Sequence, residues 1–140
     1  MKFLNYVTKA FATLLIISAL TGSPLYAQTT DKVVLHISNP LKMTMLVNNI
    51  KNLRKSLDKD AVIAVVVNGP AVARFSSSFS SRKQLDEILQ QDADVSICSF
   101  ALKNKNISKE QLYEGVSYLE DGGVIRLVKL QQEGYAYIKP

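Results

Sequence analysis

Apolar positions along the chain fall into short dense blocks separated by polar punctuation, and the blocks alternate between two periods. Val33-Val34-Leu35-His36-Ile37, inside the segment Lys32 to Ser38, is almost continuously apolar and β-branched, the pattern of a strand buried on both faces. Asn39-Pro40 follows as helix cap and first helical residue, and Leu41, Met45, Val47, Ile50, Leu53 and Leu57 predict the buried stripe of a helix ending near Leu57. Ala61 to Val67 is the most hydrophobic strand of the chain and the expected centre of the sheet. Asn68-Gly69-Pro70 stops it, because proline cannot donate to a ladder and glycine permits positive φ.

The serine-rich run Ser76 to Ser81 reads as a solvated connection whose last serine caps a helix from Arg82 to about Gln91, with Leu85, Ile88 and Leu89 on its apolar side. Before that run, Ala71 to Phe75 suits a single helical turn. Val95 to Ser99 predicts a third strand and Phe100 to Lys105 a short helix. Ser108 and Gln111 match a capping box that starts a short helix through Leu112 and Tyr113. Val116 to Leu119 predicts a fourth strand. Asp121-Gly122-Gly123 opens a last helix closed by Gly134 as a left-handed cap, and Tyr135 to Ile138 is a fifth strand. Five strands alternating with helices imply an α/β domain with a mostly parallel five-stranded sheet and helices on both faces, three layers in all. No internal repeat is visible.

The N-terminal segment stands apart from this pattern. Lys2 and Lys9 precede an apolar run from Ala10 to Leu20, and Leu25-Tyr26-Ala27 ends in a small residue. The run is about half the roughly 20 residues that a spanning helix needs. It reads as a secretory signal over 1–27, cleaved after Ala27, leaving a single domain over 28–140 in the periplasm or outside the cell, with no stable membrane anchor. The whole chain carries 17 basic against 12 acidic residues, a net charge of +5. Two of the basic residues lie in the signal and the rest are scattered, so charge gives no argument for nucleic acid.

Cysteine usage narrows the chemistry further. An exported chain favours paired cysteines, yet Cys98 is the only one, so an internal disulfide is excluded and stability must come from burial. Cys98-Ser99 lies at the carboxyl end of the third strand, where ligands bind in parallel α/β sheets. The turns Ser38-Asn39-Pro40 and Asn68-Gly69-Pro70 converge on the same rim. Free N–H groups of the helix that follows Cys98 favour a thiolate there, either as nucleophile or as sulfur carrier. The competing reading makes Cys98 a small buried hydrophobe. His36, the single imidazole, is either a satisfied core histidine or, if the first and third strands are neighbours, an activating partner for Cys98. One His and one Cys do not make a closed zinc site. Neither GxGxxG nor a Walker sequence is present, so no metal, nucleotide or other cofactor is expected. Asn48, Asn49 and Asn52 read as a solvated helix face.

Five blocks together resemble the DsrE/DsrF-like proteins: Val34-Leu35-His36-Ile37, Asn48 to Leu53, Val66 to Pro70, Cys98 to Leu102, and Gln132 to Pro140. The resemblance spans essentially all of 28–140 and is nearest to small, single-domain, exported members. It implies a flavodoxin-like fold, a homo-oligomer (trimer or hexamer), and a sulfurtransferase-like relay in which Cys98 carries persulfide sulfur between donor and acceptor proteins. Where the family usually reads NGPG this chain has Ala71, and where it usually has Arg-Gly this chain has Lys105-Asn106. The site expected on this basis is Cys98, with His36 as its candidate activator and Asn39, Asn68, Gly69, Pro70 and Ser99 around a pocket. The alternative is a non-catalytic oligomeric or small-ligand-binding domain in which Cys98 is structural.

Overall fold

In the computed structural model, residues 30–80 and 82–140 are described. The signal expected over 1–27 and the cap expected at Ser81 lie outside them. Five strands form one sheet: β1 (Lys32–Ile37), β2 (Val62–Val67), β3 (Asp94–Cys98), β4 (Ser117–Leu119) and β5 (Ala136–Ile138), in the order β4-β3-β2-β1-β5. Every pairing is parallel, with His36 opposite Val66, Val66 opposite Ser96, Cys98 opposite Leu119 and Val34 opposite Tyr137. The helices are α1 (Met43–Ser56), α2 (Arg82–Leu89), α3 (Ser99–Lys103) and α4 (Gly123–Gln132). This is the three-layer α/β/α arrangement expected from the alternation, with the flavodoxin-like character that the resemblance implies.

The strand order dictates which face each helix covers. From β1 to β4 the chain steps in one direction across the sheet, and right-handed crossovers then place the connecting helices on a common face. From β4 it returns past three strands to reach the far side of β1, which sends α4 to the opposite face. The first face is accordingly a broad apolar core: Leu35, Ile63, Val65 and Ile97 from the strands pack with Leu46, Ile50, Phe75, Leu85 and Ile88. On the second face the buried cluster is small, Val34, Ala64 and Val66 under Leu127 and Leu130 of α4. Period-two alternation puts His36 and Ser96 on this second face as well.

Two local expectations are corrected. Leu41 and Met45 do not belong to the buried stripe: they are 81% and 43% exposed, and Met43 and Leu46 join the expected Val47 and Ile50 in their place. The reason is the first turn. Pro40–Lys42 winds as a 3₁₀ turn, capped by the Asn39 side chain accepting from the Leu41 N–H at 2.9 Å. Its three residues per turn shift the phase where the helix begins. The capping box at Ser108 forms, with the Ser108 N–H donating to Gln111 Oε1 at 2.8 Å, but it opens one 3₁₀ turn, Lys109–Gln111, and not a helix through Tyr113. Tyr113 N–H donates to the Phe75 carbonyl and Ser77 N–H to the Gln111 carbonyl, so this backbone is committed to the connection after β2.

Polar side chains fasten the first face from outside. Arg54 donates to the carbonyls of Gln91, Ala61 and Asp92 at 3.0, 2.8 and 3.3 Å, joining α1 to the loops that enter β2 and β3. The Tyr113 hydroxyl donates to Asp86 Oδ1 at 2.7 Å, and that bond holds the phenol above its usual range. Lys51 and Glu87 pair at 2.7 Å between α1 and α2, which draws the Glu87 carboxyl below the ordinary carboxylate value.

Candidate functional site

Ligands in open parallel sheets bind where the connections leaving two adjacent strands depart to opposite faces. Here that point lies between β3 and β4, because β3 runs into α3 on the first face and β4 runs into α4 on the second. Cys98, the last residue of β3, stands at this crevice opposite Leu119. It is 7% exposed and packs partly into the first-face core. Its other side meets the start of α4: a Cβ on Gly122 would lie 3.8 Å from Cys98 Sγ, and one on Gly123 would lie 3.2 Å from Cys98 Cβ. Glycine at both positions lets the α4 backbone come this close, and Gly122 also holds φ at +85°, a value that L side chains rarely adopt.

The free N–H end that approaches the thiol is therefore that of α4, ten residues long, and no side chain caps it. The five-residue α3 that directly follows Cys98 is too short to carry much of a dipole.

A cavity of about 470 Å³ opens beside Cys98, lined by Asn68, Gly69, Pro70, Phe100, Ala101, Asn104 and Lys105. Three of the residues expected at the site thus share one hollow with the thiol. Gly69, at φ +54°, makes the turn, while Ala71 N–H donates to the Ser38 carbonyl and Asn68 N–H to the Ile37 carbonyl, fixing the rim to the end of β1. Lys105 supplies the positive charge of this hollow, and Phe100, 58% exposed, stands at its mouth.

The remaining expected residues lie elsewhere. Ser99 is buried and donates to the Glu120 carbonyl at 3.1 Å, tying the loop after β3 to the loop after β4. Asn39 caps its own turn and borders a separate hollow with Leu41, Met45 and Asn48. His36 is not beside Cys98, because β2 runs between β1 and β3. Its ring is instead held between two partners, Nδ1 2.7 Å from the Tyr137 hydroxyl and Nε2 2.9 Å from Asn68 Oδ1. The role of Tyr137 was not legible in the sequence: it reaches His36 across 101 positions of chain. Among the described residues no group of three or more His, Cys, Asp or Glu is placed to hold a metal ion. No described helix is long and apolar enough to cross a membrane.

A second hollow, about 380 Å³, runs along α4 over the uncovered parts of β3 and β4. Asp94, Glu120, Asp121, Arg126 and Lys129 line it, with Arg126 3.7 Å from Asp94 and Lys129 3.2 Å from Asp121. Both of its cations are paired with carboxylates and its lining holds hydroxyls, Ser96 and Ser117, but no thiol, which leaves the Cys98 hollow as the better candidate for sulfur chemistry.

The architecture recurs in solved structures. A protein of unknown function from Methanobacterium thermoautotrophicum, MTH1491, superposes with a TM-score of 0.72 at 28% identity, covering 79% of this chain and 99% of that one. The ychN protein from E. coli and a conserved protein of unknown function from Bacteroides thetaiotaomicron, BT1422, each superpose at 0.62 with 16% identity over 79% of this chain, and over 100% and 95% of theirs. No family model and no curated protein matches the sequence.

Proposed function

We propose that this chain is an exported DsrE/DsrF-like protein that carries sulfane sulfur on Cys98. The observation that carries the reading is the position of the single thiol: at the crevice between β3 and β4, against the uncapped start of α4, and beside a hollow whose charged lining residue is Lys105. A thiolate is the nucleophile in thiol–disulfide chemistry, and a helix start and a cation both favour that form. In the step proposed, Cys98 S⁻ attacks the outer sulfur of a donor persulfide, R–S–SH. The new S–S bond forms on Cys98 as the donor's S–S bond breaks, and R–S⁻ leaves with the electron pair. Repetition toward an acceptor thiol passes the sulfur on, with no net oxidant or reductant consumed.

Incubation of the folded protein with polysulfide, followed by intact mass, tests this. The wild type is expected to gain one sulfur and Cys98→Ser none. The low exposure of Cys98 favours the second reading, a binding domain with a structural thiol. That reading prevails if Cys98 stays unmodified until the protein is denatured. Export and a trimeric or hexameric assembly belong to the same proposal. Val124, Ile125 and Val128 on the outer side of α4, 63%, 47% and 47% exposed, support an assembly contact. Light scattering and the mass of the chain in a periplasmic fraction decide these two points.

A further inference from the structure

We propose that Tyr137, His36 and Asn68 form a hydrogen-bond relay that turns the Asn68 amide N–H toward the outer sulfur of a persulfide on Cys98, which makes His36 a positioning residue of the site. The inference rests on the sulfur-carrier reading.

Two asparagines occupy equivalent places in the fold and do different things. Each follows a strand within two residues, precedes a 3₁₀ turn and has proline in the first positions of that turn. Asn39 spends its side chain in the ordinary way, accepting from the N–H two residues on. Asn68 makes no such cap; its Oδ1 is taken up by His36 Nε2 at 2.9 Å. The turn after β2 is held without it, through Asn68 N–H to Ile37 and Ala71 N–H to Ser38. The side chain of Asn68 is thus freed from backbone duty and fixed by a histidine, on the wall of the hollow that Cys98 shares.

The direction of the bonds follows from the chemistry of the groups. An imidazole with its proton on Nε2 donates to the Asn68 oxygen, and its Nδ1 then accepts from the Tyr137 hydroxyl at 2.7 Å. Each partner is satisfied in this arrangement. With the amide oxygen held by His36, the Nδ2 arm of the planar amide points away from the ring. An unanchored amide can rotate and present oxygen, an acceptor that repels an anion, so the anchor decides the sign of the interaction. Cys98 Sγ itself makes no bond to Asn68. A persulfide extends the side chain by an S–S bond of about 2.05 Å, carrying the negative outer sulfur further into the hollow that Asn68 lines. The charged residue lining that hollow is Lys105 beyond α3, while Glu120 and Asp121, in the loop between β4 and α4, line the neighbouring hollow. Apart from the N–H groups of α4, the neutral amide donors lining the hollow are Asn68 and Asn104, and Asn68 is the one whose orientation a histidine fixes.

The test is the pH–rate profile for alkylation of the loaded persulfide, read by intact mass, in wild type, Asn68→Ala, His36→Phe, His36→Gln and Tyr137→Phe. Losing one hydrogen bond to an anion is expected to raise the midpoint by about one pH unit, so that Asn68→Ala and His36→Phe react about tenfold more slowly below it. The two changes combined are expected to equal either alone. His36→Gln, whose amide nitrogen can replace Nε2, is expected to restore most of the rate, and Tyr137→Phe to cost a few-fold. Profiles that superimpose on wild type while sulfur still loads overturn the relay and leave the carrier reading standing, as does additivity of the two changes. A wild type that takes up no sulfur overturns both. If His36→Phe fails to fold, Asn68→Ala and His36→Gln decide the question.

Discussion

The two faces of the sheet are built from the same three central strands, yet one is packed for stability and the other is left partly open. On the first face α1, α2 and the turn after β2 bury a continuous apolar layer, with Phe75, Leu46 and Ile50 fully enclosed. On the second, a single helix covers a cluster of five described residues, and polar groups, His36, Ser96 and Asn68, take strand and strand-end positions. A sheet buried on both faces ordinarily shows β-branched residues on both. His36 and Asn68 stand near the carboxyl rim, where the thiol also stands, while Asp94, Ser96 and Ser117 lie further from it along β3 and β4. Stability and candidate chemistry are therefore separated by face as well as by distance along the strands.

Substitutions on the two faces are expected to behave differently. The largest effect belongs to Phe75→Ala, which empties a fully buried site on the first face and should cost about 3–5 kcal/mol. The urea midpoint reads it, and the fraction that remains folded is expected to load sulfur at the wild-type rate. If loading falls in step with stability, the separation of faces is wrong. Gly123→Ala is the reverse case. Its added Cβ would lie 3.2 to 3.4 Å from Cys98 Cβ, Val66 Cγ1 and Asn68 Cβ, rigid atoms that yield only if α4 backs away. The expected cost is about 1 kcal/mol, after the helix-propensity gain of alanine over glycine, together with a few-fold slower loading of Cys98.

The smallest effect is electrostatic and confined to the first face. Because Lys51 holds the Glu87 carboxyl below its ordinary value of 4.5, the pair stabilises the fold above the carboxylate range and that contribution fades as pH falls through the lowered value. Glu87→Gln should lower the urea midpoint slightly near neutrality, with the gap from wild type closing in acid. A gap that stays constant with pH would show the pair to be idle.

Much of this fold was legible because its signals are local. The apolar runs at β1, β2 and β3, the Asn-Pro start and the glycine at Gly134, which holds φ at +87°, each declare an element within a few residues. The phase of α1 was not legible, since a 3₁₀ first turn moves the buried stripe from Leu41 and Met45 to Met43 and Leu46. Nor was the grip of Arg54 on backbone carbonyls, because these acceptors come from two separate loops and carry no residue-type signature. At the site, Cys98, Asn68, Gly69 and Pro70 meet because strand ends converge in any parallel sheet. The placement of His36 depended on strand order, which spacing does not encode: with β2 between β1 and β3, the imidazole reaches Asn68 in place of the thiol.

The pairing of β5 with β1 has a consequence for how the molecule comes together. Strands β1 to β4 follow one another across the sheet, so each joins a neighbour already made nearby in the chain, whereas Ala136 to Ile138 must find Val33 to Leu35 across the whole described domain. Contacts of such long sequence separation form late, after shorter loops have closed. Tyr137 meets His36 only at that stage. On that ground the apolar layer of the first face is expected to assemble before the polar chain across the second is complete, which would leave the rim around the thiol as the last part of the molecule to acquire its final form.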